Sequence, residues 1–375
     1  MLQNQPISRF ATALCALALA LASTCLRADS FTQTNLVSDV PNLAANTDSN
    51  LKNPWGVAFS ATSPFWASDQ ATGVATLYGA TGTPVSLVVA IPGSASPTSG
   101  PTGMVFSNIS GSFLVGAAPA TFIFDNLNGT ISGWNSAAGT TAVVMATTPG
   151  AVYTGLAQAS NGGANFLYAA NSSAGRIDVF DSSWSPTNLS GSFVDPNLPT
   201  GFVPFNIQNI GGNLYVTYAE LGPGGTPMPG GFVDEYNSSG ILIKRIASDG
   251  PLSAPWGIVV APANFGSFSN DLLIGNFGDG EIDAYDATTD MFLGTLDGTN
   301  GQPLVNDHLW ALETRNAPGF DPNALYFSAG INDEQNGLFG EITEVPEPAT
   351  LFGTASGLIA FVLLRIKRNP LARSR

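Results

Sequence analysis

One pattern recurs six times along this chain, and it constrains the fold more than any other feature. A glycine is followed two residues later by an apolar residue, then by a small or acidic one, and five residues after the glycine by an aromatic or aliphatic side chain. It reads GVATLY from Gly73, GTISGW from Gly129, GRIDVF from Gly175, GFVDEY from Gly231, GEIDAY from Gly280 and GLFGEI from Gly337, with the glycines 56, 46, 56, 49 and 57 residues apart. Alternation with period two, rich in β-branched and aromatic residues, marks a strand. Two further runs keep the same period. Upstream stand PWGV from Pro54, PTGM from Pro101, YTGL from Tyr153, PFNI from Pro204, PWGI from Pro255 and LWAL from Leu309. Between the two lies a more apolar run: Phe65-Trp66-Ala67, Phe113-Leu114-Val115, Phe166-Leu167-Tyr168, Leu214-Tyr215-Val216, Leu272-Leu273-Ile274 and Leu325-Tyr326-Phe327.

Three markers sharing one period of about fifty residues describe a repeated supersecondary unit. An outer strand can be added to it at residues 84–90, 142–146, 242–246 or 292–296, which makes a four-stranded antiparallel blade. The fold class is therefore all-β, a six-bladed β-propeller, since radial closure protects edges that an open sheet would expose. A β-helix has shorter repeats, and a two-sheet sandwich has no reason to repeat three markers six times. No outer strand is evident after the sixth blade, so the stretch 31–40 is expected to fill that slot and lock the ring. Composition agrees: only 10% of residues are charged, and 42 Gly and 26 Pro supply turns. The PWG run, the apolar strand and the G-x-I-D-x-Y-D segment from Gly280 resemble the NHL and SMP-30 class of six-bladed propeller.

The two ends read as addresses. Arg9 precedes an apolar run over 10–22 and the small-residue site Leu26-Arg27-Ala28, the layout of a secretory signal peptide over 1–28. Cys15 and Cys25 both fall in this segment, so the mature chain has neither a disulfide framework nor a thiol nucleophile. At the other end Pro346-Glu347-Pro348 leads into an apolar run over 351–364 and then Arg365, Lys367 and Arg368. The run is expected to form one C-terminal helix, a short transmembrane helix over 351–364 although below the usual spanning length, and the basic residues after it fit a cytoplasmic end. This arrangement over 345–375 resembles the PEP-CTERM sorting signal. The resemblance implies export, transient anchoring in the inner membrane, processing by an exosortase-type membrane transpeptidase, and an envelope or extracellular location in bacteria that make exopolysaccharide. The whole chain also resembles an uncharacterised propeller family with PEP-CTERM tails.

Between the ends, residues 29–344 hold 26 of the 27 acids and five of the 12 bases, a net charge of -21. Such a domain repels polyphosphate, so nucleic acid is excluded as a partner; polysaccharide or other envelope proteins fit better. In a propeller the start of the innermost strand and the end of the second strand open on the same face. That places Trp55, Trp256 and Trp310 near Asp69, Asn171, Tyr218, Asn276 and Asn332 around a central mouth, where indole faces and amides suit a sugar ligand. The competing reading is that the tryptophans wedge blades apart and the polar residues cap turns.

Catalytic residues are not expected. His308 is the only histidine and no G-x-S-x-G elbow occurs; Asp307 and His308, as strand neighbours, would point apart. Asp279, Glu281, Asp283, Asp286 and Asp290 lack the spacing of a calcium loop, and recurrence of Asp178, Asp234 and Asp283 at one blade position suits a structural hydrogen bond. No cofactor is expected, with a divalent cation such as calcium as the alternative. A channel ion on Asp69, Asn171 and Asn276 would resemble the metal site of SMP-30-like lactonases, but Trp55-Gly56 stands where that resemblance requires a glutamate. The sequence thus favours a non-catalytic binding or scaffold propeller, and a metal-dependent lactonase-like hydrolase is the alternative.

Overall fold

The computed structural model describes residues 29–93, 99–223 and 226–346, and the chain divides into two units after Glu344. Of the second unit only Val345 and Pro346 are described, and neither is in a strand. The leader 1–28, with both cysteines, and the apolar run 351–364 lie outside the described residues.

The first unit contains six blade sheets. From the axis outward, blade I is Pro54–Ala58, Phe65–Asp69, Val74–Tyr78 and Val89–Ala90. Blade II is Pro101–Phe106, Phe122–Asn126, Thr130–Trp134 and Val143–Thr147. Blade III is Tyr153–Asn161, Ala164–Asn171, Arg176–Asp181 and Pro186–Thr187. Blade IV is Phe202–Ile210, Asn213–Glu220, Phe232–Tyr236 and Leu242–Ser248. Blade V is Pro255–Val260, Leu272–Asn276, Ile282–Tyr285 and Phe292–Thr295. Blade VI is Leu309–Thr314, Leu325–Ala329 and Leu338–Glu344, and its fourth strand is the N-terminal Phe31–Ser38, antiparallel to Leu338–Glu344. The expected closure by the N-terminal stretch is thus observed, and Asn46–Thr47 adds a short parallel strand outside it.

The three inner strands of most blades are buried along nearly their whole length rather than on alternate residues. This follows from covering each blade on both faces, so that short continuous apolar runs replace alternation. Outer strands such as Val143–Thr147 face solvent. Each gap between neighbouring blades holds its own core. Trp66 of blade I packs on Phe122 and Trp134 of blade II, and comparable clusters fill the other five gaps. The innermost strands contact each other in turn around the axis, the last against the first.

The six repeated glycines are needed for two reasons. Gly73, Gly129, Gly175 and Gly280 have φ of 72, 77, 63 and 77°, the left-handed region that glycine tolerates best. Gly231 and Gly337 are ordinary in φ, but a side chain there would fall on the Pro255 ring and on the Leu51 carbonyl.

Blade II corrects the sequence reading. Phe113-Leu114-Val115 is not the second strand; Leu114–Val115 pairs with Ala118–Pro119 in a separate two-stranded hairpin, and Phe122–Asn126 is the second strand. The reason is turn length. Asn126 stands three residues before Gly129 and closes the turn, its carbonyl accepting from the Gly129 N–H, whereas Val115 is far too distant to do so. The first outer strand is also shorter than 84–90, with only Val89–Ala90 laddered.

Candidate functional site

The strand registers bring the expected mouth residues to one end of the axis. Pro54 pairs with Asp69, Tyr153 with Asn171, Pro204 with Tyr218 and Pro255 with Asn276, so the end of each second strand lies beside the start of its inner strand. The three tryptophans meet one another there. Trp55 stacks on Trp310 with ring centroids 3.6 Å apart, and Trp256 sets its edge against both at 6.3 and 5.6 Å. Phe205 and Phe277 join them. Trp256 donates its indole N–H to the Thr154 carbonyl at 2.8 Å, and Trp310 to Asn53 Oδ1 at 2.9 Å. All three indoles are buried, their faces spent on each other, so they plug the mouth.

The polar residues of the mouth are tied within their own blades. Thr76 donates to Asp69 at 2.7 Å, Asn171 to Asp178 at 2.7 Å and Asn276 to Asp283 at 2.8 Å; the Tyr218 and Tyr236 hydroxyls share a bond of 2.7 Å, and Tyr236 donates to Asp234. Asp178 and Asp283 are thus acceptors for the preceding strand, whereas Asp234 accepts from Tyr236 of its own strand and from Arg245 of the next. Burial pushes the Asp69 carboxyl well above its usual range against the Thr76 bond, and raises Asp283 to about 6 in spite of Asn276 and Thr295. Asp69, Asn171 and Asn276, the trio of the lactonase comparison, therefore point back into separate sheets. Among the described residues no group of three or more His, Cys, Asp or Glu side chains is placed to hold a metal ion. The acids after Gly278 are likewise dispersed: Asp279 accepts from the Glu281 backbone, Asp286 from Thr288 and Thr289, and Asp290 from Lys244.

Asp307 and His308 depart from expectation. They precede the strand Leu309–Thr314, and His308 takes a left-handed φ of 51°, which turns its Nδ1 to within 2.8 Å of Asp307 Oδ1. The two do face one another, although without hydrogen-bond geometry. His308 remains a turn residue, its ring edge-on to Phe277 at 4.6 Å. Asn332 is on the exposed loop after blade VI's second strand, donating to Asn336.

Below the plug the axis narrows to a waist lined by Gly56, Gly103, Asn206, Gly257 and Ala311. Side chains at Gly56, Gly103 or Gly257 would fall on backbone atoms of the next blade, so the inner strands approach as closely as glycine allows. Asn206 donates across the gap to the Trp256 carbonyl at 2.8 Å. Beyond the waist, toward the ends of the inner strands, the axis widens into a cavity of about 190 Å³, whose walls include Phe59, Met104, Phe106 and Leu156. Its polar groups are Gln158, Gln208, Asn209 and Glu313. Burial pushes the Glu313 carboxyl up to about 8, with only the Gln208 amide, 3.5 Å away, opposing. Sequence reasoning missed this site. The signal was present: two residues after the waist position the six copies read Ala58, Val105, Ala157, Gln208, Val259 and Glu313, two polar residues among apolar ones.

Fold and site together define a six-bladed β-propeller, closed by its N-terminal strand, plugged with aromatic rings at one end of the axis and open into a cavity at the other. The chain belongs to the same family as the uncharacterized protein R648 of Acanthamoeba polyphaga mimivirus, with which it is 31% identical over 327 residues, 82% of this chain and 78% of R648. The uncharacterized protein L690 of the same virus is 30% identical, over 82% of this chain and 84% of L690. No family model matches. Among solved structures, a Bacteroides thetaiotaomicron protein of unknown function superposes with a TM-score of 0.52 at 13% identity, covering 84% of this chain and 76% of that one. Virginiamycin B lyase from Staphylococcus aureus gives 0.51 at 13%, covering 84% and 99%. The soluble aldose sugar dehydrogenase of Escherichia coli gives 0.51 at 14%, covering 84% and 100%. These structural likenesses show the fold alone.

Proposed function

We propose that this chain is an exported, non-catalytic propeller that holds extracellular polysaccharide at the mouth face, after sorting through Pro346, Glu347 and Pro348 by an exosortase-type transpeptidase. The observation that carries the non-catalytic reading is the hydrogen bonding of the mouth. Asp69, Asn171 and Asn276 are each buried and hydrogen-bonded inside their own blade, so this trio is not presented to a ligand as a base or a metal-ligand set. Trp55, Trp256 and Trp310 form a rigid buried plug behind this face, and the exposed loop after blade VI's second strand supplies the side-chain amides of Asn332 and Gln335, a chemistry suited to neutral hydroxylated polymers. The net charge of -21 over residues 29–344 disfavours polyanions and leaves neutral or cationic glycans as the class.

A thermal-shift screen of the purified full chain against oligosaccharides tests this reading. A ligand at a hundred times its Kd adds about 2.7 kcal/mol to the folded state, so a bound glycan raises the midpoint by several degrees and is recovered uncleaved. Absence of a shift with every glycan, or hydrolysis of a lactone by the same preparation, overturns it. Replacing Pro346, Glu347 and Pro348 by alanine is expected to leave the chain unprocessed in the membrane fraction, and normal processing of that variant overturns the sorting assignment.

A further inference from the structure

The axial cavity beyond the waist sets two under-satisfied polar side chains, Gln158 and Glu313, among apolar walls. Gln158 Oε1 is buried without a hydrogen-bond partner. Glu313 has one polar neighbour, the Gln208 amide at 3.5 Å, too long to compensate a buried charge. Gln158 Oε1, and Glu313 once it is ionised, are acceptors, set among the apolar walls of Phe59, Met104, Phe106 and Leu156. Among the described residues Glu313 is also the only ionisable one lining the cavity. The cation just beyond its strand, Arg315, is committed elsewhere: its guanidinium donates to the Ser60 and Ser63 carbonyls and lies over the rings of Phe59, Phe65 and Phe320.

We propose that this cavity binds a small organic cation, a primary or secondary ammonium on an apolar body of about one ring, with the Glu313 carboxylate and Gln158 Oε1 receiving its N–H groups. A cavity of about 150 Å³ holds a benzene molecule, so about 190 Å³ accommodates a six-membered ring with a substituent. An inorganic ion is a poor match, since calcium needs six to eight oxygens and the cavity supplies one carboxyl and three amides among apolar walls. An anion would meet a carboxyl in a strongly acidic domain. A neutral alcohol would satisfy Gln158 but would form no ion pair with the carboxyl, which stays in its neutral form. The field of the domain adds to this selection, because net negative charge concentrates cations near the opening. Burial keeps the empty-site carboxyl protonated up to about pH 8, so capture of an ammonium at neutral pH releases the Glu313 proton to solvent.

Calorimetric titration of the purified full chain with cyclohexylammonium and with cyclohexanol at pH 7, in two buffers of different ionisation enthalpy, tests the assignment. The ammonium is expected to bind at least tenfold more tightly than the alcohol, with a buffer-dependent enthalpy that reports proton release. In Glu313→Gln, a neutral substitution of the same shape, the preference and the buffer dependence are lost while alcohol binding is kept. Gln158→Leu weakens the ammonium about five- to tenfold and keeps the proton release, which tests the site even where Glu313→Gln folds poorly. Equal binding of the two probes, binding of neither, or retention of the preference in Glu313→Gln overturns the proposal. Glycan binding at the mouth is read by a separate assay, so either assignment can fail alone.

Discussion

At the scale of single residues, the waist shows what a repeat in sequence does and does not reveal. The row Gly56, Gly103, Gly155, Asn206, Gly257 and Ala311 was legible as a third-position marker, yet nothing in a linear sequence says that these six positions meet around one axis. The structure supplies the cause: a side chain at Gly103 would lie on the backbone of Gly155 and Leu156, so size there is limited by a neighbouring strand about fifty residues away. Gly103→Ala therefore forces blades II and III apart and is expected to lower stability by about 1–3 kcal/mol, the range for overpacking. Gly79→Ala, with only the Thr83 carbonyl at ordinary contact distance, should change it by no more than about 0.5 kcal/mol. Urea unfolding of the two variants gives the comparison, and equal midpoints would mean that the waist is looser than its geometry implies. Gln158 was illegible for a related reason, and Glu313 was legible only as a polar residue in an apolar row, not as part of a site. Each is an ordinary strand residue until the ring closes and makes a cavity of the space between strands.

At the scale of elements, the blades follow their sequence markers where turn length and strand marker agree, and depart from them where the two conflict. Five second strands stand where their apolar runs predict. In blade II an equally apolar run, Phe113-Leu114-Val115, was displaced by Phe122–Asn126, because only the latter reaches the turn at Gly129. Apolar character alone could not separate them, since Phe113 is fully buried in either role. It fills the gap between blades II and III, edge-on to Trp184 with centroids 5.2 Å apart. Phe113→Ala is accordingly expected to cost about 3–5 kcal/mol. Leu114→Ala, at an exposed side chain, should fall within about 0.5 kcal/mol. Similar losses in the two, measured by chemical denaturation, would contradict the hairpin as a wedge between blades.

At the scale of the whole molecule, six inter-blade cores and few ion pairs leave the electrostatics to buried carboxyls rather than to surface pairing. Arg245 meets Asp234 and Asp195, and Lys52, Arg176 and Lys244 each meet at least one acid, but most of the 26 acids of residues 29–344 have no basic partner. Within this acidic frame desolvation raises Asp125 to about 7, Asp283 to about 6 and Glu313 to about 8. Their ordinary values in the unfolded chain lie near 4. The folded state therefore binds more protons than the unfolded state across the interval from about pH 4 to about pH 8, and in that interval stability falls as pH rises. These carboxyls contribute fully below about pH 4, and their contribution is lost as pH passes through 6, 7 and 8 in turn. Self-repulsion of the ionised acids acts in the same direction. The urea midpoint is thus expected to be higher at pH 5 than at pH 8, opposite to a protein whose carboxylates are salt-bridged. Glu313→Gln should remove most of the slope between about pH 7 and 8, where Glu313 outlasts Asp283 and Asp125, and should reduce it by less than one proton's worth near pH 5. A midpoint that stays level or rises between pH 5 and pH 8 would mean that these carboxyls are solvated, and that the blades around Asp125 and Asp283 and the cavity around Glu313 are more open than the six-blade ring allows.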